Sequence, residues 1–191
     1  MNPMEIEKKW IVNGWPQADL PLLKREYMRQ GYLTVEPTVR IRQETRMEGG
    51  QGTVLRPLLQ EGDAEPSPVP TSPCTTEYIL CFKSKGTLVR QEIEFPISET
   101  HFEQLEEMIG LPLIPKERRT YALPGGLELE VNHVDEGQPT EYWYAEVEFS
   151  SVEEAAEFSA EAAGLADYLN NDVTEVPGQT MGSYWLRTRC Q

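Results

Sequence analysis

The sequence predicts an α+β fold: an eight-stranded antiparallel β-barrel with flanking helices. Two features of the 191 residues lead there. Charged side chains recur at alternate positions in seven segments, the period of one face of a strand. Glycine and proline turn signals separate these segments, and few stretches carry a helical apolar stripe.

Residues 4–13 read as a first strand, with Glu5, Glu7 and Lys9 on one face. Residues 20–28 read as a short helix, and Gln30-Gly31-Tyr32-Leu33 as the turn into a strand. Val39-Arg40-Ile41-Arg42 alternates apolar and basic residues, as a strand does. From 46 to 73 glycines, prolines and acids dominate, so this stretch reads as a long loop inserted in a single domain spanning 1–191. Strand character returns at 76–85, breaks at Gly86 as in a hairpin, and resumes at 88–97.

Ser98 is a good N-cap for a helix whose stripe is Phe102, Leu105, Met108 and Ile109, ended by Gly110 and Pro112. Strands follow at 116–123, 127–134 and 142–149, with turns at Pro124-Gly125-Gly126 and Asp135-Glu136-Gly137. Ser150 or Ser151 caps a second helix, expected to run to about Tyr168. The tail from Asp172 carries no clear pattern.

Composition excludes some functions. There are 17 Lys and Arg against 32 Asp and Glu, a net charge of −15. Sequence-independent nucleic-acid binding needs basic surface to release counterions, and an anionic membrane surface repels such a chain. Local charge still decides ligand binding, so a positive lumen can sit inside an acidic protein. The three cysteines, Cys74, Cys81 and Cys190, form neither a disulfide framework nor a zinc pattern. No signal peptide or membrane span is evident, and a reduced cytoplasmic protein is expected.

The alternating charges are Glu5 and Glu7 with Lys9; Arg40 and Arg42; Lys83 and Lys85; Arg90 with Glu92 and Glu94; Lys116 and Arg118; Glu128 and Glu130; Glu146 and Glu148. One such pair is ordinarily a solvated strand face. Their recurrence favours one enclosed surface, a polar tunnel. Ile6, Ile41, Ile93, Leu129 and Val147 would then face an outer layer. The alternative is an open sheet whose apolar face the helices cover.

Both signs of charge in one enclosure suit a polyanion with a divalent metal. Arginine forks and lysines bind phosphate, while carboxylates hold Mg²⁺ or Mn²⁺. Other residues carry less. His101 reads as a surface residue, and His133 has the opposite parity from Glu128 and Glu130. Cys81 reads as a small lining or core residue, and Tyr142, Trp143 and Tyr144 as packing or rim aromatics. No phosphate-cradling G-x-x-x-x-G-K-[ST] loop occurs.

The segment Glu5-Ile6-Glu7-Lys8-Lys9 resembles the ExExK signature of the CYTH superfamily, the triphosphate tunnel metalloenzymes. The bacterial branch is resembled further, in order, by Gln30-Gly31-Tyr32-Leu33, Val39-Arg40-Ile41-Arg42, Lys85-Gly86, Arg90-Gln91-Glu92-Ile93-Glu94, Lys116-Glu117-Arg118 and Ala145-Glu146-Val147-Glu148. The resemblance covers roughly 4–150. It implies an antiparallel tunnel and Mg²⁺- or Mn²⁺-dependent hydrolysis of triphosphates, inorganic triphosphate first. The same tunnel serves class IV-type adenylate cyclases and thiamine triphosphatases, and a non-catalytic polyphosphate or nucleotide sensor is a further alternative.

By that resemblance, Lys9, Arg40, Arg42, Lys85, Arg90, Lys116 and Arg118 contact phosphate, and strand parity adds Lys83. Glu5, Glu7, Glu146 and Glu148 hold metal, with Glu130, Glu92 and Glu94 as further candidates. Lys9, with Glu5 and Glu7, is the expected catalytic group. The partner is a triphosphate-containing small molecule, with no nucleic acid or membrane, and a homodimer is allowed. Three departures stand out. Leu127-Glu128-Leu129-Glu130-Val131-Asn132 replaces the family's Trp-Glu-x-Asp-x-Phe, the 46–73 loop is long, and the tail departs after Asp172-Val173-Thr174.

Overall fold

Strand pairing closes on itself in the computed structural model, which describes residues 4–47 and 74–190. The strands are β1 (Met4–Ile11), β2 (Leu22–Val35), β3 (Thr38–Met47), β4 (Cys74–Lys83), β5 (Val89–Pro96), β6 (Ile114–Ala122), β7 (Glu128–Val134) and β8 (Tyr142–Glu148). Around the barrel they run β1-β5-β4-β3-β2-β6-β7-β8, each neighbour antiparallel. The helices are α1 (Glu99–Ile109), α2 (Val152–Glu157) and α3 (Met181–Arg189). Residues 46 and 47 belong to β3, and the rest of the expected 46–73 loop lies outside the described residues.

The helix expected at 20–28 is instead the first half of β2. The run Leu20, Leu22, Leu23 suggests a helix, but from Glu26 onward the parity is that of a strand. Glu26, Met28, Gln30 and Tyr32 are buried, whereas Arg25, Tyr27 and Arg29 between them are only half-buried. Pairing with both β3 and β6 overrides the local helical preference. The helix expected to reach Tyr168 stops at Glu157: Ser151 caps it, and turns carry the chain onward. α1 matches its signals, with Ser98 accepting from the His101 amide and Gly110 ending it in the left-handed region at φ 62°.

The apolar core lies largely outside the barrel, between strand outer faces and the covering segments. Ile6, Trp10, Leu129, Val131 and Val147 pack with Ala155 of α2 and with Leu165 and Leu169 beyond it. Ile41 and Ile114 pack with Phe102 of α1 and Trp185 of α3. Gly31 allows this second contact, because a methyl group there would run into Leu113 and meet Ile109 at 3.2 Å. Ile93 departs from expectation. It is 38% exposed beside Phe82 and Phe95, so this part of the β4–β5 outer face is left uncovered.

The tail completes the wall. One edge of β1 pairs with β8, while its other edge pairs with β5 only over Met4–Ile6. Farther along that edge, the Ile11 amide donates to the Asn171 carbonyl, and the Val173 amide donates to the Lys9 carbonyl at 2.8 Å. Residues 171–173 thus continue the edge that β5 leaves.

A buried ion pair fixes α3. Asp135, in the turn after β7, is 1% exposed. It receives a two-pronged donation from Arg189 at 2.6 and 2.8 Å, and further donations from Tyr184 and Thr140. Burial alone would raise the Asp135 pKa, but these donors hold it below the ordinary range. Removing one partner of such a pair costs about 3–5 kcal/mol. Arg189→Ala is therefore expected to lose that much in denaturant unfolding at neutral pH. A depressed carboxylate stabilises fully above its unfolded pKa, about 3.9, and less as pH falls through the folded value. The stability gap between wild type and Asp135→Asn should accordingly close on acidification below about pH 4.

Candidate active site

Strand alternation points the predicted charges into a lumen of ≈ 790 Å³. The barrel order sets two walls opposite each other. β3 and β6, flanking β2, contribute Arg40, Arg42, Lys116 and Arg118. β1, β8 and β7 contribute Glu5, Glu7, Glu146, Glu148 and Glu130. Between the walls, β4 and β5 add Lys83, Arg90, Glu92 and Glu94, and Lys9 rises from the acidic side.

Within the ring the charges neutralise one another. The Lys9 ammonium meets Glu146 at 3.0 Å, and Lys83 meets Glu5 at 2.8 Å and Glu92 at 3.1 Å. Arg90 contacts both Glu5 and Glu7. Arg40 and Arg42 converge on Glu94 at 3.1 and 3.3 Å, and Arg118 meets Glu130 at 2.9 Å.

Neutralisation is incomplete on both walls. On the cationic wall, burial and then crowding by Arg118, Arg42 and Arg40 push the Lys116 pKa well down. Burial, with Arg40 and Arg118 nearby, also lowers that of Arg42. Burial works against the Arg118 charge too, but Glu130 and its neighbours outweigh it and raise its pKa, so the cluster keeps positive charge for a polyanion. On the acidic wall, register sets Glu7 directly opposite Glu148, and Glu130 opposite Glu146. Burial and the Glu146 and Glu5 carboxylates push Glu7 up to about 8, outweighing Arg90. Burial and the carboxylates of Glu5, Glu130 and Glu92 raise Glu148. Burial opposes the Glu146 charge too, but Lys9, Lys116 and Arg118 bring it down to about 2.

This oxygen-rich donor set fits a hard divalent cation such as Mg²⁺ or Mn²⁺. Among the described residues, the trio of ligating types already gathered within 4.8 Å is Cys81, Glu92 and Glu94. The carboxylates of β1 are instead occupied by Lys83 and Arg90.

The structure brings together every predicted site residue except Lys85. β4 ends at Lys83, and Gly86 turns the chain at φ 144°, so alternation stops before Lys85. Its side chain is 81% exposed at the mouth and pairs with Glu36. Sequence reasoning overlooked two buried carboxylates that lie beside the lumen rather than on its lining. Glu44 shares the parity of Arg40 and Arg42 and meets Arg42 at 3.0 Å, while Glu26 was hidden by the helical reading of β2. Tyr144 is no rim aromatic: it shares the parity of Glu146 and is 1% exposed. Trp143, on the opposite face, stacks on His133 at 3.7 Å, so His133 packs outside the lumen. Cys81 is fully buried and donates to Glu92 without lining the lumen, which fits the core side of the lining-or-core reading.

A closed antiparallel barrel with cationic and acidic inner walls defines an anion-binding β-tunnel. No family model matches the chain. It is 32% identical to the inorganic triphosphatase of Nitrosomonas europaea over 154 residues, covering 81% of this chain and 82% of that protein. The crystal structure of the inorganic triphosphatase NE1496 superposes with a TM-score of 0.53 at 24% identity, over 94% of this chain and 95% of that one. A crystal structure of the hypothetical protein NE1496 gives 0.52 at 25%, with the same coverage. The chain belongs to the CYTH superfamily of triphosphate tunnel proteins.

Like charges set opposite each other across strands are destabilising, by about 0.2–1 kcal/mol. Glu148 has no cationic partner among the described residues. Glu148→Gln should therefore raise the melting temperature in EDTA by a few degrees, about 2–4 °C per kcal/mol at this size. An unchanged or lower value would show that Glu148 is not under repulsion.

Proposed function

We propose that the protein hydrolyses inorganic triphosphate inside the tunnel, with Mg²⁺ or Mn²⁺ on its glutamates. The observation that carries this reading is the facing of a crowded cationic wall and a self-repelling carboxylate wall across one lumen. The relative named inorganic triphosphatase supports it. Arg40, Arg42, Lys116 and Arg118 bind the phosphate oxygens, with Lys83 and Arg90 beside them. Lys85 meets the substrate at the mouth.

Substrate binding exchanges partners in the ring. Arg40 and Arg42 leave Glu94 for phosphate, and Arg90 and Lys83 release Glu7 and Glu5. Glu5, Glu7, Glu146, Glu148 and Glu130 would then be free to hold the divalent cation through carboxylate oxygens. Such an ion, when bound, neutralises phosphate charge and orients a water. The water oxygen bonds to the terminal phosphorus and the bridging P–O bond breaks, giving phosphate and diphosphate. The basic wall takes up the charge on the leaving diphosphate, and Lys9 is placed to stabilise charge or move a proton. Phosphoryl transfer asks mainly for this positioning and electrostatic stabilisation.

The expected setting is cytoplasmic, with a small-molecule partner and neither nucleic acid nor membrane. Cys74, Cys81 and Cys190 are free thiols, which suits a reducing compartment. No described helix is long and apolar enough to cross a membrane.

The test is phosphate release from inorganic triphosphate with Mg²⁺, Mn²⁺ or EDTA. Metal-dependent release is expected, with Glu7→Gln lowering kcat by about 10²-fold or more and Arg42→Ala raising KM. Absence of release in either metal would sink the proposal, and cyclic AMP formed from ATP would point to a cyclase instead.

A further inference from the structure

We propose that Tyr144 is the positioning residue of the tunnel: its ring seats Lys9 and its hydroxyl seats Lys116, aiming both ammonium groups at the bound triphosphate. The proposal rests on the triphosphate reading of the site. Tyr144 lies on β8, two residues before Glu146 on the same face, and is 1% exposed. The Lys9 ammonium sits 3.7 Å from the centroid of its ring, within cation–π range. The Lys116 ammonium, 5.7 Å from that centroid, donates to the Tyr144 hydroxyl oxygen at 3.1 Å.

The chemistry of the contact explains why a phenol suits this place. Lys116 is 5% exposed, and among the described residues its ammonium has no carboxylate within salt-bridge reach. A buried ammonium needs an orienting acceptor, because leaving it unpartnered is costly. A carboxylate would orient the group but would also cancel its charge. The neutral phenol oxygen orients the group without adding a counter-charge that the substrate would have to displace. The Tyr144 O–H proton itself has no acceptor among the described residues, so it is free to donate to a phosphate oxygen between the two lysines.

Lys9 is held from two sides, by Glu146 at 3.0 Å and by the ring face. The ring stabilises the ammonium without a counter-ion when Glu146 turns to a metal. The competing role is plain packing, since Tyr144 also stacks on Tyr142 at 5.5 Å. Phenylalanine would fill that role equally well, which makes the two roles separable.

The experiment is a double-mutant cycle read both as triphosphate affinity by calorimetry in EDTA and as steady-state kinetics in Mg²⁺. Tyr144→Phe keeps the ring and should weaken triphosphate binding about three- to tenfold, the loss of one hydrogen bond, with kcat changed less than KM. In a Lys116→Met background the same change should add at most the small loss of the phenol proton's own contact. Tyr144→Leu, or Tyr144→Met if leucine fails to fold, should lower kcat about tenfold further, because Lys9 loses its seat. Phenylalanine thus rescues the ring-dependent part and not the hydroxyl-dependent part. An equal effect of Tyr144→Phe in both backgrounds, or leucine and methionine variants that match phenylalanine, would overturn the proposal. A wild-type protein that neither binds nor cleaves triphosphate would instead overturn the reading of the site. A wild type that does both while the cycle shows no coupling would overturn the positioning role alone.

Discussion

Enclosing more than a dozen charged side chains is the constraint on which the rest of the structure depends. A solitary buried charge is costly, and a barrel this small is normally filled with apolar groups. Here the cost is offset by position. Lysines and arginines lie opposite or diagonal to glutamates through the strand register, as with Lys9 and Glu146, Glu5 and Arg90, and Lys83 and Glu92. The apolar core is displaced largely to the outer surface of the strands, where α1, α3 and the segment around α2 cover it.

That arrangement links stability to function. Where charges are compensated, as at Lys83 with Glu5 and Glu92, the ring supports itself. Where they are not, as at Glu7 opposite Glu148 or at Lys116 and Arg42 beside other cations, the protein holds unfavourable electrostatic energy. A ligand carrying both an anion and a cation relieves both walls at once. Sites of this kind are where proteins give up stability for activity.

Much of this was legible in the sequence because side-chain alternation is a backbone property. Arg40 and Arg42, or Glu146 and Glu148, share a face whatever the tertiary context. Lys85 shows the limit of the rule, since parity means nothing once the strand ends. At Tyr144 the parity was present too, but aromatic character pointed only to packing or the rim; the ring does pack, on Tyr142, and it also lines the lumen. β2 was misread because its leucines and long polar residues have good helical propensity, and only pairing with β3 and β6 decides otherwise. The contribution of 171–174 could not be read from local pattern at all. It fills a gap that exists only because β5 leaves half of one edge of β1 unpaired.

That filled gap also bears on how the protein folds. Lys9 bonds through its amide to Thr174, 165 positions later, and through its side chain to Glu146, 137 positions later. Neither edge of β1 has its full set of partners until those distant segments pair with it. Until they do, β1 is an open strand bearing Ile6 and Trp10. Folds dominated by such distant pairings form slowly and expose sticky edges on the way. The alternating charges of β1, Glu5, Glu7 and Lys9, keep that waiting edge soluble long before they meet a substrate.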